Sequence, residues 1–156
     1  MYNTCIFRKI NKADNLSIYD LQRTKDYSKY HNKKGVYYVY TSKRLNVNRE
    51  YINDVYYNNK KIYDADYLYK KLLLTNINNN ILYIGESGDI ECRIKQLVCM
   101  MYSNAKKPRK GGICLKGLSH YDKKLNVGFV EKNIETSEIK EFANNNGFLP
   151  FANMKF

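Results

Sequence analysis

Residues 81–101 decide the reading: Ile81-Leu82-Tyr83-Ile84-Gly85, then Glu86-Ser87-Gly88-Asp89, then a run in which Ile90, Ile94, Leu97, Val98 and Met101 recur at helical spacing. A short aliphatic and aromatic run ahead of a glycine predicts a buried strand that ends at Gly85. Ser87 or Asp89 is placed to cap the helix that follows, because either side-chain oxygen can accept an orphan first-turn N–H. The steps from Ile90 to Met101 draw one apolar stripe on that helix, and Glu91, Lys95 and Gln96 fall off it.

Upstream, Gly35 opens Val36-Tyr37-Tyr38-Val39-Tyr40, a β-branched and aromatic run that predicts another buried strand. Between the two strands lies a polar insertion, about residues 42–80. In it, Val55-Tyr56-Tyr57 and Lys61-Ile62-Tyr63 flank Asn58-Asn59-Lys60 like a small hairpin, and Asp64 is placed to cap a helix carrying Leu68, Leu72 and Leu73. Residues 1–34 read as an N-terminal extension with one short amphipathic helix between Asn15 and Tyr30. Downstream, residues 103–117 hold Lys106, Lys107, Arg109, Lys110 and Lys116 without an acidic residue, and read as an unpacked basic loop. Leu125 to Val130 predicts a third strand, and Ile134 to Asn146 a last helix stopped by Gly147. Strands and helices in this order predict an α+β architecture with helices laid on one sheet.

A chain of 156 residues with 44% hydrophobic residues suits one domain, decorated by its extension and insertion. Lys and Arg number 27 against 15 Asp and Glu, a formal charge of +12, and nucleic acid leads the partners that such a surplus attracts. No run approaches the ~18 apolar residues of a membrane span, and the opening residues do not read as a signal peptide, so an intracellular, cytoplasmic protein is expected, with no membrane partner and no small-molecule cofactor. Cys5, Cys92, Cys99 and Cys114 lack metal-ligand spacing and read as reduced thiols. His31 and His120 read as surface residues without partners.

The Gly-Val-Tyr of residues 35–37, the Tyr-Ile-Gly of residues 83–85, Arg93 ten residues after Tyr83, and then Glu138, Pro150 and Asn153 in that order form a set. The set resembles the GIY-YIG endonuclease family and covers most of residues 35–156. The resemblance implies a small central antiparallel three-stranded sheet flanked by helices, and hydrolysis of DNA to a 3′-hydroxyl and a 5′-phosphate. It also implies one divalent cation, Mg²⁺ or Mn²⁺, held by a single glutamate.

Such hydrolysis needs a deprotonated water, positive charge against the transition state and neutralisation of the leaving oxygen. On the resemblance, Tyr83, or else Tyr37, takes the proton from water, although a phenol with an ordinary pKa of ~10 does so at neutral pH only if neighbouring positive charge lowers it. Arg93 is the guanidinium that grips phosphate oxygens. Glu138 is the metal ligand, with Glu135 the alternative, since each has an apolar residue four positions on (Phe142 or Ile139). Asn153 orients the last turn near the site. The expected substrate is double-stranded or branched DNA, contacted by Lys106, Lys107, Arg109, Lys110 and Lys116, and a double-strand break would call for a homodimer or two nicks. The alternative reading is a nucleic-acid-binding module on the same fold without catalysis. Six tyrosines of the insertion (Tyr51, Tyr56, Tyr57, Tyr63, Tyr67 and Tyr69) either contact bases or form the insertion's own core.

Overall fold

Six consecutive buried residues, Gly35–Tyr40, form the spine of the molecule. A strand buried on both faces needs β-branched and aromatic side chains at every position rather than at alternate ones, which is what this run supplies. The computed structural model describes residues 15–78, 80–102, 112–131 and 150–153. In chain order these form β1 (Leu16–Ser17), α1 (Ile18–Thr24), β2 (Gly35–Tyr40), β3 (Val55–Tyr57), β4 (Lys60–Tyr63), α2 (Ala65–Asn78), β5 (Ile81–Ser87), α3 (Ile90–Tyr102) and β6 (Asn126–Val130). Single 3₁₀ turns occupy Ser28–Tyr30 and Arg49–Tyr51, and a longer 3₁₀ segment spans Ile113–Lys124.

The protein is α+β, with an antiparallel sheet of four strands in the order β1-β6-β2-β5 and β3-β4 as a separate ribbon. Three strands are expected from the sequence. The additional strand is β1, whose Leu16 and Ser17 pair with Val127 and Asn126. Ser17 also accepts a hydrogen bond from the Asp20 N–H at 3.0 Å, so the strand runs directly into α1. Ile18 and Leu21 of α1 and Tyr30 beyond it are fully buried, which anchors this segment to the core. β5 does not end at Gly85 but continues to Ser87, because Gly35 and Val36 pair with Ser87 and Glu86 and so extend the ladder.

The insertion between β2 and β5 folds as its local signals require. Asn58 and Asn59 take φ of 51° and 63°, the left-handed pair of a two-residue hairpin turn. Asp64 caps α2 by accepting from the Tyr67 N–H at 2.9 Å. The Thr41 N–H donates to the Asn80 carbonyl at 2.9 Å and draws the two ends of the insertion together. Asp89 caps α3 through the Cys92 N–H at 3.0 Å, and Ile90, Ile94, Leu97, Val98 and Met101 are buried, with Met100 beside them.

Residues 112–117 depart from the unpacked loop expected of them. Ile113, Cys114, Leu115 and Gly117 are buried and Lys116 is half-buried. The 3₁₀ segment turns these side chains onto α2 and the hairpin, and Gly117 sits where an added Cβ would lie 2.5 Å from the Leu68 side chain. Lys106, Lys107, Arg109 and Lys110, and the expected helix with Glu135 and Glu138, lie outside the described residues. Among the described residues no helix is long and apolar enough to cross a membrane, and Cys92, Cys99 and Cys114 take part in no disulfide.

Tyrosine burial has a consequence in alkali. Burial, with Tyr40 and Tyr27 close by, pushes the Tyr30 hydroxyl well above the usual phenol range, and that hydroxyl donates to the Val127 carbonyl at 3.2 Å. Burial, with Cys114 beside it, pushes Tyr63 up to about 12. A folded-state pKa above the unfolded value of ~10 stabilises the fold fully below that value, and the contribution fades as pH climbs from about 10 through the folded pKa. The helical circular dichroism is therefore expected to collapse above pH ~10 together with a cooperative rise of tyrosinate absorbance. Tyrosines that all titrate near pH ~10 with the dichroism intact would contradict this burial.

Candidate active site

Antiparallel pairing of β2 with β5 sets Tyr37 opposite Gly85 and Val39 opposite Tyr83, so Tyr37 and Tyr83 share one face of the sheet. Their ring centroids are 5.9 Å apart at an interplanar angle of 50°. The Tyr37 ring lies across Gly85, where an added Cβ would stand 2.5 Å from Tyr37 Cζ and 2.6 Å from its hydroxyl oxygen. Glycine at 85 is thus a steric necessity of the tyrosine on the neighbouring strand.

Tyr83 packs on its other side near Gly112, whose Cβ position is 3.5 Å from the Tyr83 ring and from Leu97 Cδ1. Gly112 has a φ of +76°, a left-handed conformation that glycine adopts without strain, and it opens the 3₁₀ segment. Leu97 stands one helical turn after Arg93, so the two positions are neighbours along one side of α3. The Arg93 side chain is half-buried and has no ion pair or side-chain hydrogen bond among the described residues. A guanidinium held partly out of water with its donors uncommitted can receive an anion.

Asn153 is buried, and both ends of its amide are engaged by one residue of β5. Oδ1 accepts from the Ile84 N–H at 2.9 Å, and Nδ2 donates to the Ile84 carbonyl at 2.8 Å. The Ala152 N–H adds a bond to the Leu82 carbonyl at 2.7 Å, and the Asn153 N–H closes a turn on Pro150 at 3.0 Å. Residues 150–153 therefore run along the outer edge of β5, between whose residues Tyr83 and Gly85 the clamped Ile84 lies. With both amide ends used, Asn153 is a positioning residue.

Tyr37, Tyr83 and Gly85 thus meet on one face of β2 and β5, with Asn153 at the outer edge of β5 and Arg93 on α3. Among the described residues no group of three or more His, Cys, Asp or Glu side chains is placed to hold a metal ion. Lys116 is half-buried in the 3₁₀ segment. The two histidines are exposed but partnered: His31 Nδ1 is 3.2 Å from Glu91 Oε2, and His120 stacks on Tyr51 at 3.9 Å. The sequence reads Gly112 as part of a basic loop and His120 as a surface residue without a partner, and the structure sets Gly112 near the Tyr83 ring and His120 under Tyr51. The only trace of Gly112 is the Gly111-Gly112 pair, whose second member turns out to touch Tyr83. No family model matches the chain, and neither a curated protein nor a solved structure matches it.

Proposed function

We propose that the chain is a metal-dependent DNA endonuclease of the GIY-YIG type, with β2, β5 and β6 as the family's three-stranded sheet and β1 as an added edge. The observation that carries this reading is the meeting of Tyr37 and Tyr83 across paired strands, with the Tyr37 ring laid over Gly85. Residues far apart in the chain come together here, Gly85 is required by the ring of Tyr37, and Gly112 takes a left-handed φ; these support the reading.

In this reading a scissile phosphate sits over the tyrosine pair. Arg93 grips two of its non-bridging oxygens and stabilises the charge that grows there in the transition state. Tyr83 accepts the proton of the attacking water, assisted by the positive field of Arg93, while Tyr37 fixes the Tyr83 ring. Asn153 holds Ile84, and with it the strand that carries Tyr83.

One carboxylate, with phosphate oxygens and water completing the shell, is a donor set that Mg²⁺ accepts, so a lone Glu138 or Glu135 fits such an ion chemically. A bound Mg²⁺ or Mn²⁺ would act as a Lewis acid and neutralise the departing oxygen. The excess of cations over the chain favours DNA as the polyanion, with Lys106, Lys107, Arg109, Lys110 and Lys116 as backbone contacts.

The test is nicking of supercoiled plasmid at low salt with Mg²⁺, Mn²⁺ or chelator. Wild type is expected to nick or linearise with either metal and to stop in chelator. Glu138→Ala is expected to abolish cutting, and if Glu135→Ala does so instead the metal belongs to Glu135. Salt-sensitive binding without cutting under any metal would turn the reading into a binding module.

A further inference from the structure

The insertion carries exposed tyrosines that the proposed chemistry does not use. Tyr51, Tyr56 and Tyr67 are 42%, 52% and 52% exposed, whereas Tyr57, Tyr63 and Tyr69 pack against the core. The six tyrosines singled out in the sequence thus divide into a supporting set and a solvent-facing set.

Tyr51 stands out by its mounting. Its ring lies on His120 at a centroid distance of 3.9 Å and an angle of 14°, and Tyr121 meets both rings edge-on at 6.3 and 5.9 Å. The backbone beneath is fixed by hydrogen bonds between the Arg49–Tyr51 turn and the 3₁₀ segment. The Asn48 N–H donates to the Tyr121 hydroxyl at 2.8 Å, the Asn53 N–H to the Gly117 carbonyl at 3.0 Å, and Asn53 Nδ2 to Ser119 Oγ at 3.1 Å. A flat ring already held and still open to solvent can take one more flat ring at little entropic cost.

We propose that the Tyr51–His120 stack is a platform for unpaired nucleobases, so that the insertion engages a single-stranded stretch of the DNA. Every base has a π-face, so stacking of this kind tolerates any sequence. Two of the insertion's cations are ion-paired: Arg49 with Asp66, and Lys61 with Asp54 at 3.8 Å. Lys123 and Lys124, just after Tyr121, are exposed, so cations lie close in the chain to the aromatic faces, the combination that single-strand binding uses, while the +12 charge of the whole chain supplies the long-range attraction to a polyanion. The inference rests on the nuclease reading in taking DNA as the ligand.

The test is fluorescence anisotropy, in chelator, of a labelled single strand of mixed sequence and of a hairpin duplex of the same length. Tyr51→Ala is expected to weaken single-strand binding about tenfold and duplex binding less than about twofold, with Tyr51→Phe close to wild type. His120→Ala, which removes the supporting ring, is expected to weaken the single strand about threefold and guards against a misfolded Tyr51→Ala. Unchanged single-strand affinity in both variants, or equal losses on both ligands, would overturn the platform. No binding of wild type to either DNA would also overturn it and leave the surface to a protein partner. Plasmid cutting separates the two readings: Tyr51-dependent single-strand binding without cutting keeps the platform and removes the nuclease, whereas cutting with single-strand affinity indifferent to both substitutions does the reverse.

Discussion

Arg93→Ala is expected to slow metal-dependent plasmid cleavage by about 10²- to 10³-fold, the usual effect of removing one preorganised donor from a developing oxyanion. Its thermal midpoint is expected to stay within about 2 °C of wild type. The second expectation separates catalysis from structure. The guanidinium has no ion pair or side-chain hydrogen bond among the described residues, so its removal strands no buried charge. Arg93→Lys is expected to recover only part of the rate, since an ammonium cannot bridge two phosphate oxygens with a planar fork. Cleavage unaffected by Arg93→Ala would remove this residue from the chemistry, and a large fall in melting temperature would make it a structural residue.

Gly85→Ala is expected to destabilise the fold and the candidate site together. The new Cβ would lie 2.5 Å from Tyr37 Cζ, and the ring it meets is 3% exposed and has little room to yield. Overpacking of this kind costs about 1–3 kcal/mol, here toward the upper end, which lowers the melting temperature of a chain this size by about 6–12 °C. Activity is expected to fall further than stability, because the displaced phenol is the one packed against Tyr83. Thermal unfolding of Tyr37→Ala, Gly85→Ala and the double variant checks the cause. In the double variant the clash is gone, so the two costs are expected to be less than additive by about 1 kcal/mol or more. Strict additivity would mean that the Tyr37 ring does not lie where Gly85 makes room for it.

The elements legible in the sequence were those whose cause is local. The stripe from Ile90 to Met101 fixes α3 because burial repeats with the helix period, and Asn58-Asn59 fixes the hairpin because two adjacent residues take left-handed φ. Asp64 and Asp89 mark helix starts for the same local reason. What was not legible depends on partners distant in the chain. β1 is two residues long and is a strand only because Val127 and Asn126 lie beside it. Gly85 looks like a terminator until Gly35 is found opposite Ser87. Residues 112–117 look like solvated loop because their burial is supplied by distant elements, Leu97 and Tyr83 at Gly112, and Leu68 and the backbone at Asn53 at Gly117. At the candidate site, the spacing of Tyr83 and Arg93 is visible in a line of text. The contact of Tyr37 with Tyr83 and the grip of Asn153 on Ile84, 69 residues away, are products of folding.

Among the described strands, β5 is the last of its sheet, and a last strand with open amides invites another chain to join it. Here Ala152 occupies the Leu82 carbonyl, and the Asn153 side chain imitates one residue of a neighbouring strand at Ile84 without being a strand itself. A true neighbour would continue the ladder, but an amide side chain ends after a single rung. The residues that hold Ile84 therefore also limit aggregation: they occupy the Leu82 carbonyl and both backbone groups of Ile84 at the β5 edge without offering a strand on which that edge could grow.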